Sequence, residues 1–192
     1  MKKIYTPFIY FLLLSIFLVM NGHAEDSTFS ETDTVTDKSG DNKAAEFIQT
    51  PYSDEQNVLF ELFLDEPGKI HSALFWLRSY MNTLMEEPYA MAPEFINVIV
   101  LVHGTEIVTL AKKNYEKYHG AVERMRYYEQ LGVEFRVCGA AAHDYGYTAS
   151  DFYSFVKIVP SAMTELAHWQ SEGYALIRPL VFEKKYSIEE IR

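Results

Sequence analysis

The stretch Ile96-Asn97-Val98-Ile99-Val100-Leu101-Val102 decides the fold: six of its seven side chains are apolar and five are β-branched. A run that does not alternate reads as a strand covered on both faces, which is how strands of parallel sheets are buried. His103-Gly104 closes it. Upstream, Asn57 to Leu64 is a second strand-length apolar run, ended by Asp65-Glu66-Pro67-Gly68. Between the two runs, Ile70, Leu74, Leu77, Met81 and Leu84 recur at spacings of four, three, four and three, one apolar stripe on a helix. Downstream, a helical region covers about Glu106 to Leu131, with a break expected near Asn114 or Gly120 and Gly132 as its left-handed cap. Val133 to Cys138 alternates as a third strand, and a loop or short helix from Gly139 to Tyr153 leads to a fourth, Phe155 to Val159. Ser161 is placed to cap a further helix, Gly173 closes that helix, and Tyr174 to Arg178 is the last strand. Strands alternating with helices predict an α/β three-layer sandwich around a mainly parallel five-stranded sheet, of flavodoxin-like class.

The chain has 192 residues, 48% of them hydrophobic, and a net charge of −10. That supply of apolar side chains is enough for one sizeable core and excludes disorder throughout. The acidic balance argues against nucleic acid as a partner, because phosphate neutralisation needs a basic face. At the N-terminus, Met1-Lys2-Lys3, the apolar stretch Phe8 to Met20 and the small residues Gly22 and Ala24 form the pattern of a secretory signal peptide over residues 1–24. The expectation is an exported chain, periplasmic in a bacterium, with no stable membrane anchor after cleavage. Residues 25–52 are acidic and rich in Ser and Thr, and read as a flexible tether; residues 53–192 form the folded domain.

In open parallel sheets, ligands collect beyond the carboxyl ends of the strands. Those ends hold Asp65, then His103 and Gly104, then Cys138 and Gly139, then Ser161. Cys138 is the single cysteine of the chain, and the small residues Gly139 to Ala142 follow it. If they open a helical turn, a thiolate at Cys138 meets the positive end of that dipole. The opposing expectation is an inert cysteine that packs. His103 at the strand end and His143, five residues after the thiol, are candidates for tuning it. No spacing of His, Cys or carboxylates assembles a metal site, no glycine-rich phosphate loop is present, and no cofactor is expected.

Val133-Glu-Phe-Arg-Val-Cys-Gly-Ala-Ala-Ala142 resembles the strand and cysteine loop of the DsrE/DsrF-like sulfur-relay family. Val156-Lys-Ile-Val-Pro-Ser161, Thr164-Glu-Leu166 and Gln170-Ser-Glu-Gly-Tyr-Ala175 resemble that family's C-terminal signature, and Asp65 to Ile70 and Val102-His-Gly104 also fit its pattern. The resemblance covers roughly residues 56–179. It implies an α/β domain assembled as homotrimers or hexamers, and a cysteine that accepts sulfane sulfur as a persulfide, a role that falls on Cys138 alone. The implied activity is a sulfur carrier, sulfurtransferase-like if it turns over. Its sulfur donor and thiol acceptor are not specified by the sequence. The alternative is a non-enzymatic oligomeric binding module in which Cys138 only packs.

Overall fold

The computed structural model describes residues 43–192; the expected signal peptide and most of the acidic tether lie outside them. The chain divides after Gln49, and every strand and helix among the described residues belongs to Thr50–Arg192. Five strands form one sheet: β1 (Gln56–Leu62), β2 (Ile96–Val102), β3 (Glu134–Cys138), β4 (Val156–Val159) and β5 (Ala175–Ile177). Their order is β4-β3-β2-β1-β5, and every neighbouring pair is parallel. The helices are α1 (Ile70–Met85), α2 (Tyr115–Gln130), α3 (Gly139–Asp144), α4 (Ala162–Ser171) and α5 (Ile188–Ile191). The expected α/β architecture with a parallel sheet is therefore present.

Strand order explains how the two faces differ. The chain steps outward in one direction from β1 through β4, then crosses back past β1 to place β5 on the opposite edge. Right-handed crossovers running in opposite directions lie on opposite faces of a sheet. Accordingly, Ile70, Leu74, Leu77 and Met81 of α1 and Val122 and Met125 of α2 pack with Val58, Phe60, Val98, Val100, Phe135 and Val137 in the larger core. The other face carries a smaller cluster of Leu59, Ile99, Leu101, Cys138 and Val159 beneath Ala162 and Leu166 of α4. Side chains that lose essentially all their exposure, such as Leu74, Leu77 and Met81, contribute about 1.5–3 kcal/mol each by burial.

The region after β2 departs from the expected long helix. It forms two 3-10 turns, Thr105–Leu110 and Lys112–Asn114, before α2 begins at Tyr115, so the break falls at Asn114 and Gly120 sits inside the helix. Ile107, Leu110 and Ala111 are fully buried, so packing against the core adds to the 3-10 hydrogen bonds in fixing this segment. Gly132 follows α2 at φ +93°, a conformation open to glycine, and Val133 N–H returns to the Tyr128 carbonyl at 3.0 Å. Ser161 caps α4 as expected, its Oγ accepting the Met163 N–H at 3.2 Å.

Candidate functional site

Cys138 ends β3 and is the cap residue of α3. Gly139 makes the turn possible, because a Cβ there would lie 2.9 Å from the Val159 carbonyl oxygen. The close approach lets Ala140 N–H donate to the Pro160 carbonyl at 3.3 Å, tying the start of α3 to the end of β4. The first residue of α4 completes the junction: Ala162 N–H donates to Cys138 Sγ at 3.3 Å.

α4 is held over β3 by a polar network. Arg136 Nη1 donates to Glu165 Oε2 at 2.5 Å, and Trp169 Nε1 donates to the same oxygen at 2.8 Å. The Arg136 guanidinium also lies 4.6 Å from the Trp169 ring centroid, a cation–π contact. Arg136 and Cys138 share a face of β3, so the network that anchors α4 also sets the amide that meets the thiol.

The alternation of β3 puts Cys138 on the same face as Glu134 and Arg136; α4 covers that face, and Cys138 is only 6% exposed among Leu59, Ile99, Leu101 and Val159.

His103 follows β2 immediately. The pairing of Val102 with Val137 places His103 beside Cys138, one residue further along both strands. Adjacent strands run about 4.8 Å apart. Three backbone N–H groups fix this corner by converging on Glu106: Leu64 donates to Oε2 at 2.9 Å, and Gly104 and His103 donate to Oε1 at 2.9 and 3.2 Å. Glu106 has no solvent exposure. Burial pushes its carboxyl above the ordinary range, with the three N–H groups pulling the other way. Gly104 is required for the approach, since a Cβ would sit 2.5 Å from both Glu106 Oε2 and Leu64 N.

The His103 ring is held from the β1 side. Its Nε2 lies 2.9 Å from Glu61 Oε1, and its face stacks on Phe63 with centroids 4.8 Å apart. Glu61 is 2% exposed, and its other oxygen accepts Arg178 Nε at 2.6 Å. Arg178, one residue after β5, lies level with Glu61 on β1, while His103 and Cys138 lie level with each other two residues further along, so the Glu61–His103 contact runs diagonally across the strand ends.

The sequence-predicted residues divide. Cys138, Gly139, Ser161, His103 and Gly104 gather at the ends of β2, β3 and β4 and the start of α4. Asp65 does not join them: it is exposed and pairs with Lys69 at 2.8 Å, a hydrogen bond that holds its carboxyl below the usual range. His143 does not join either; its side chain is 90% exposed on α3 and lies 3.9 Å from Asp144. Sequence reasoning missed Glu61, Glu106 and Arg178. Glu61 left a signal, a carboxylate inside the otherwise apolar run Val58 to Leu64.

Among the described residues, no three His, Cys, Asp or Glu side chains converge as a metal site. A cavity of about 480 Å³ opens on the α1 side of the sheet, lined by residues including Phe60, Trp76, Tyr80, Leu84, Ile177 and Leu180. No sequence-predicted site residue lines it. Burial there pushes the Tyr80 hydroxyl up to about 12.

A parallel α/β domain with a cysteine at the β3 end, under the start of α4, defines the class of protein. The chain belongs to the DsrE/DsrF-like family, whose model matches residues 59–179. A protein of unknown function from Methanobacterium thermoautotrophicum, MTH1491, shares 22% identity at a TM-score of 0.53, over 65% of this chain and all of that one. A conserved protein of unknown function from Bacteroides thetaiotaomicron, BT1422, shares 13% identity at a TM-score of 0.44, over 64% of this chain and 93% of that one. No curated protein matches.

Proposed function

We propose that the protein is a sulfur carrier that holds sulfane sulfur as a persulfide on Cys138. The observation that carries the reading is the position of Sγ, which receives the Ala162 N–H where the β3 and β4 ends meet. Membership of the DsrE/DsrF-like family supports the same chemistry. With thiosulfate as donor, the Cys138 thiolate attacks the outer sulfur, the S–S bond to the sulfonate breaks, and sulfite leaves with the bond pair. The product is a Cys138 persulfide. An acceptor thiolate then attacks the terminal sulfur, takes it as its own persulfide, and Cys138 departs as thiolate. No second cysteine in the chain competes for the carried sulfur.

The carrier acts outside the cytoplasm, in a bacterial periplasm, on the strength of the signal pattern in residues 1–24. It works as a homo-oligomer: Phe75, Trp76, Leu180 and Phe182 are large apolar side chains left exposed in the single chain, and association covers them. Light scattering at micromolar concentration should return a multiple of the chain mass; a monomer would refute the assembly.

A second reading has its own observation. Cys138 is 6% exposed and lined by aliphatic side chains, which suits a packing residue of a binding module. Protein taken from its native cells without reductant separates the two. The carrier yields a Cys138 peptide bearing an extra sulfur atom, and the binding module yields only the bare thiol.

A further inference from the structure

We infer that Glu61 and Arg178 are positioning residues that set His103 as the acid–base partner of Cys138. The inference rests on the reading of Cys138 as a reacting thiol and adds to it the device that moves its proton.

Glu61 is a carboxylate on a strand buried on both faces, 2% exposed, where an unpaired charge is costly. It has two partners. Arg178 donates to Oε2 through Nε at 2.6 Å, and its Nη2 reaches the same oxygen. His103 Nε2 lies 2.9 Å from Oε1. Arginine is permanently charged, so Arg178 balances Glu61 whatever the state of the imidazole. In neutral His103, the Nε2–H therefore donates to Glu61, and this bond fixes the tautomer. Nδ1 is left with its lone pair, and it makes no hydrogen bond among the described residues.

The rest of the imidazole's setting is equally fixed. Phe63 stacks on its face, and the His103 backbone N–H is held by the Leu62 carbonyl at 3.1 Å and by Glu106. The charged and titratable groups around His103 are thus Glu61 from β1, Arg178 after β5, Glu106 in the following turn, and Cys138 beside it on β3. The arrangement repeats the logic of a carboxylate–histidine pair that serves a nucleophile. The Cys138 S–H proton passes to Nδ1 through one water, and the bond pair stays on sulfur. The imidazolium then lies between the thiolate and Glu61. After sulfur transfer, the proton returns from Nδ1 to the persulfide.

The test uses the full chain with nitrogen-15-labelled histidine. Long-range proton–nitrogen correlation spectra read the His103 tautomer and its titration midpoint, and mass spectrometry follows sulfur loading from thiosulfate. The expected wild-type tautomer carries hydrogen on Nε2. Glu61→Gln removes the carboxylate and should move the midpoint down, while Arg178→Met leaves Glu61 with the imidazole alone and should move it up. A residue that merely supports the fold would not give shifts of opposite sign. Loading near neutral pH should slow by roughly 10-fold or more in Glu61→Gln, a typical loss for disabling an acid–base group. Arg178 is half exposed, so Arg178→Met decides the matter if Glu61→Gln does not fold. Shifts of the same sign, an Nδ1–H tautomer in the wild type, or loading by Glu61→Gln at the wild-type rate would overturn the proposal while leaving the carrier standing. Failure of the wild type to load at all would overturn the carrier reading, and the proposal with it.

Discussion

Leu64 and Glu106 meet across 42 residues of chain: the backbone N–H of Leu64 donates to Glu106 Oε2 at 2.9 Å. The bond stitches the exit of β1 to the turn after β2. Because the other oxygen of Glu106 takes the N–H groups of His103 and Gly104, one buried carboxylate sets where two strand ends emerge.

Glu106→Gln should therefore destabilise the domain. Both carboxylate oxygens accept, and an amide would turn its NH₂ toward at least one backbone N–H. Leaving such a donor unmatched costs about 1–3 kcal/mol, to be read from denaturant unfolding. An unchanged midpoint would mean that the three N–H groups are satisfied in another way. Gly104→Ala should be at least as damaging, since its Cβ would sit 2.7 Å from the Leu64 carbonyl oxygen as well as against the carboxylate.

Gly120→Ala should do the reverse. Gly120 lies inside α2, and a Cβ there would meet nothing closer than His71 Cε1 at 3.7 Å, ordinary contact. Replacing a mid-helix glycine by alanine removes unfolded-chain freedom and should add about 0.5–1 kcal/mol. A fall in melting temperature would contradict the contact geometry of α2.

Glu134 predicts a dependence on acid. Burial raises its carboxyl, but hydrogen bonds from Lys157 and Arg136 outweigh that and hold it below the ordinary value. A depressed carboxyl stabilises the fold above its unfolded value of about 4.3 and loses that contribution as pH falls through the folded value. The melting temperature of wild type should exceed that of Glu134→Gln near neutrality, and the gap should close below about pH 4.3. A gap that stayed constant into acid would refute the pairing.

The parallel sheet was legible because Ile96 to Val102 is apolar without alternation, and α1 because its stripe keeps one spacing throughout. Gly132 and Ser161 were legible as caps because the geometry at those positions selects their residue types. The turns over Thr105–Asn114 were not, since their order comes from burying Ile107 and Leu110 rather than from any helical period. The burial of Cys138 was hidden for a related reason: its strand face is polar at Glu134 and Arg136, and only the return of α4 covers it. Arg178 was invisible because its partner Glu61 lies 117 residues away, joined to it by the pairing of the first and last strands.

The sulfur chemistry of Cys138 is tested most directly by the mass of its peptide after reduced, folded protein meets thiosulfate. A persulfide carrier gains one sulfur atom on Cys138, loses it again when a small thiol is added, and shows no gain in a folded Cys138→Ser variant. A wild-type peptide that keeps the mass of the bare thiol, under donor concentrations that load free cysteine, would contradict the carrier role.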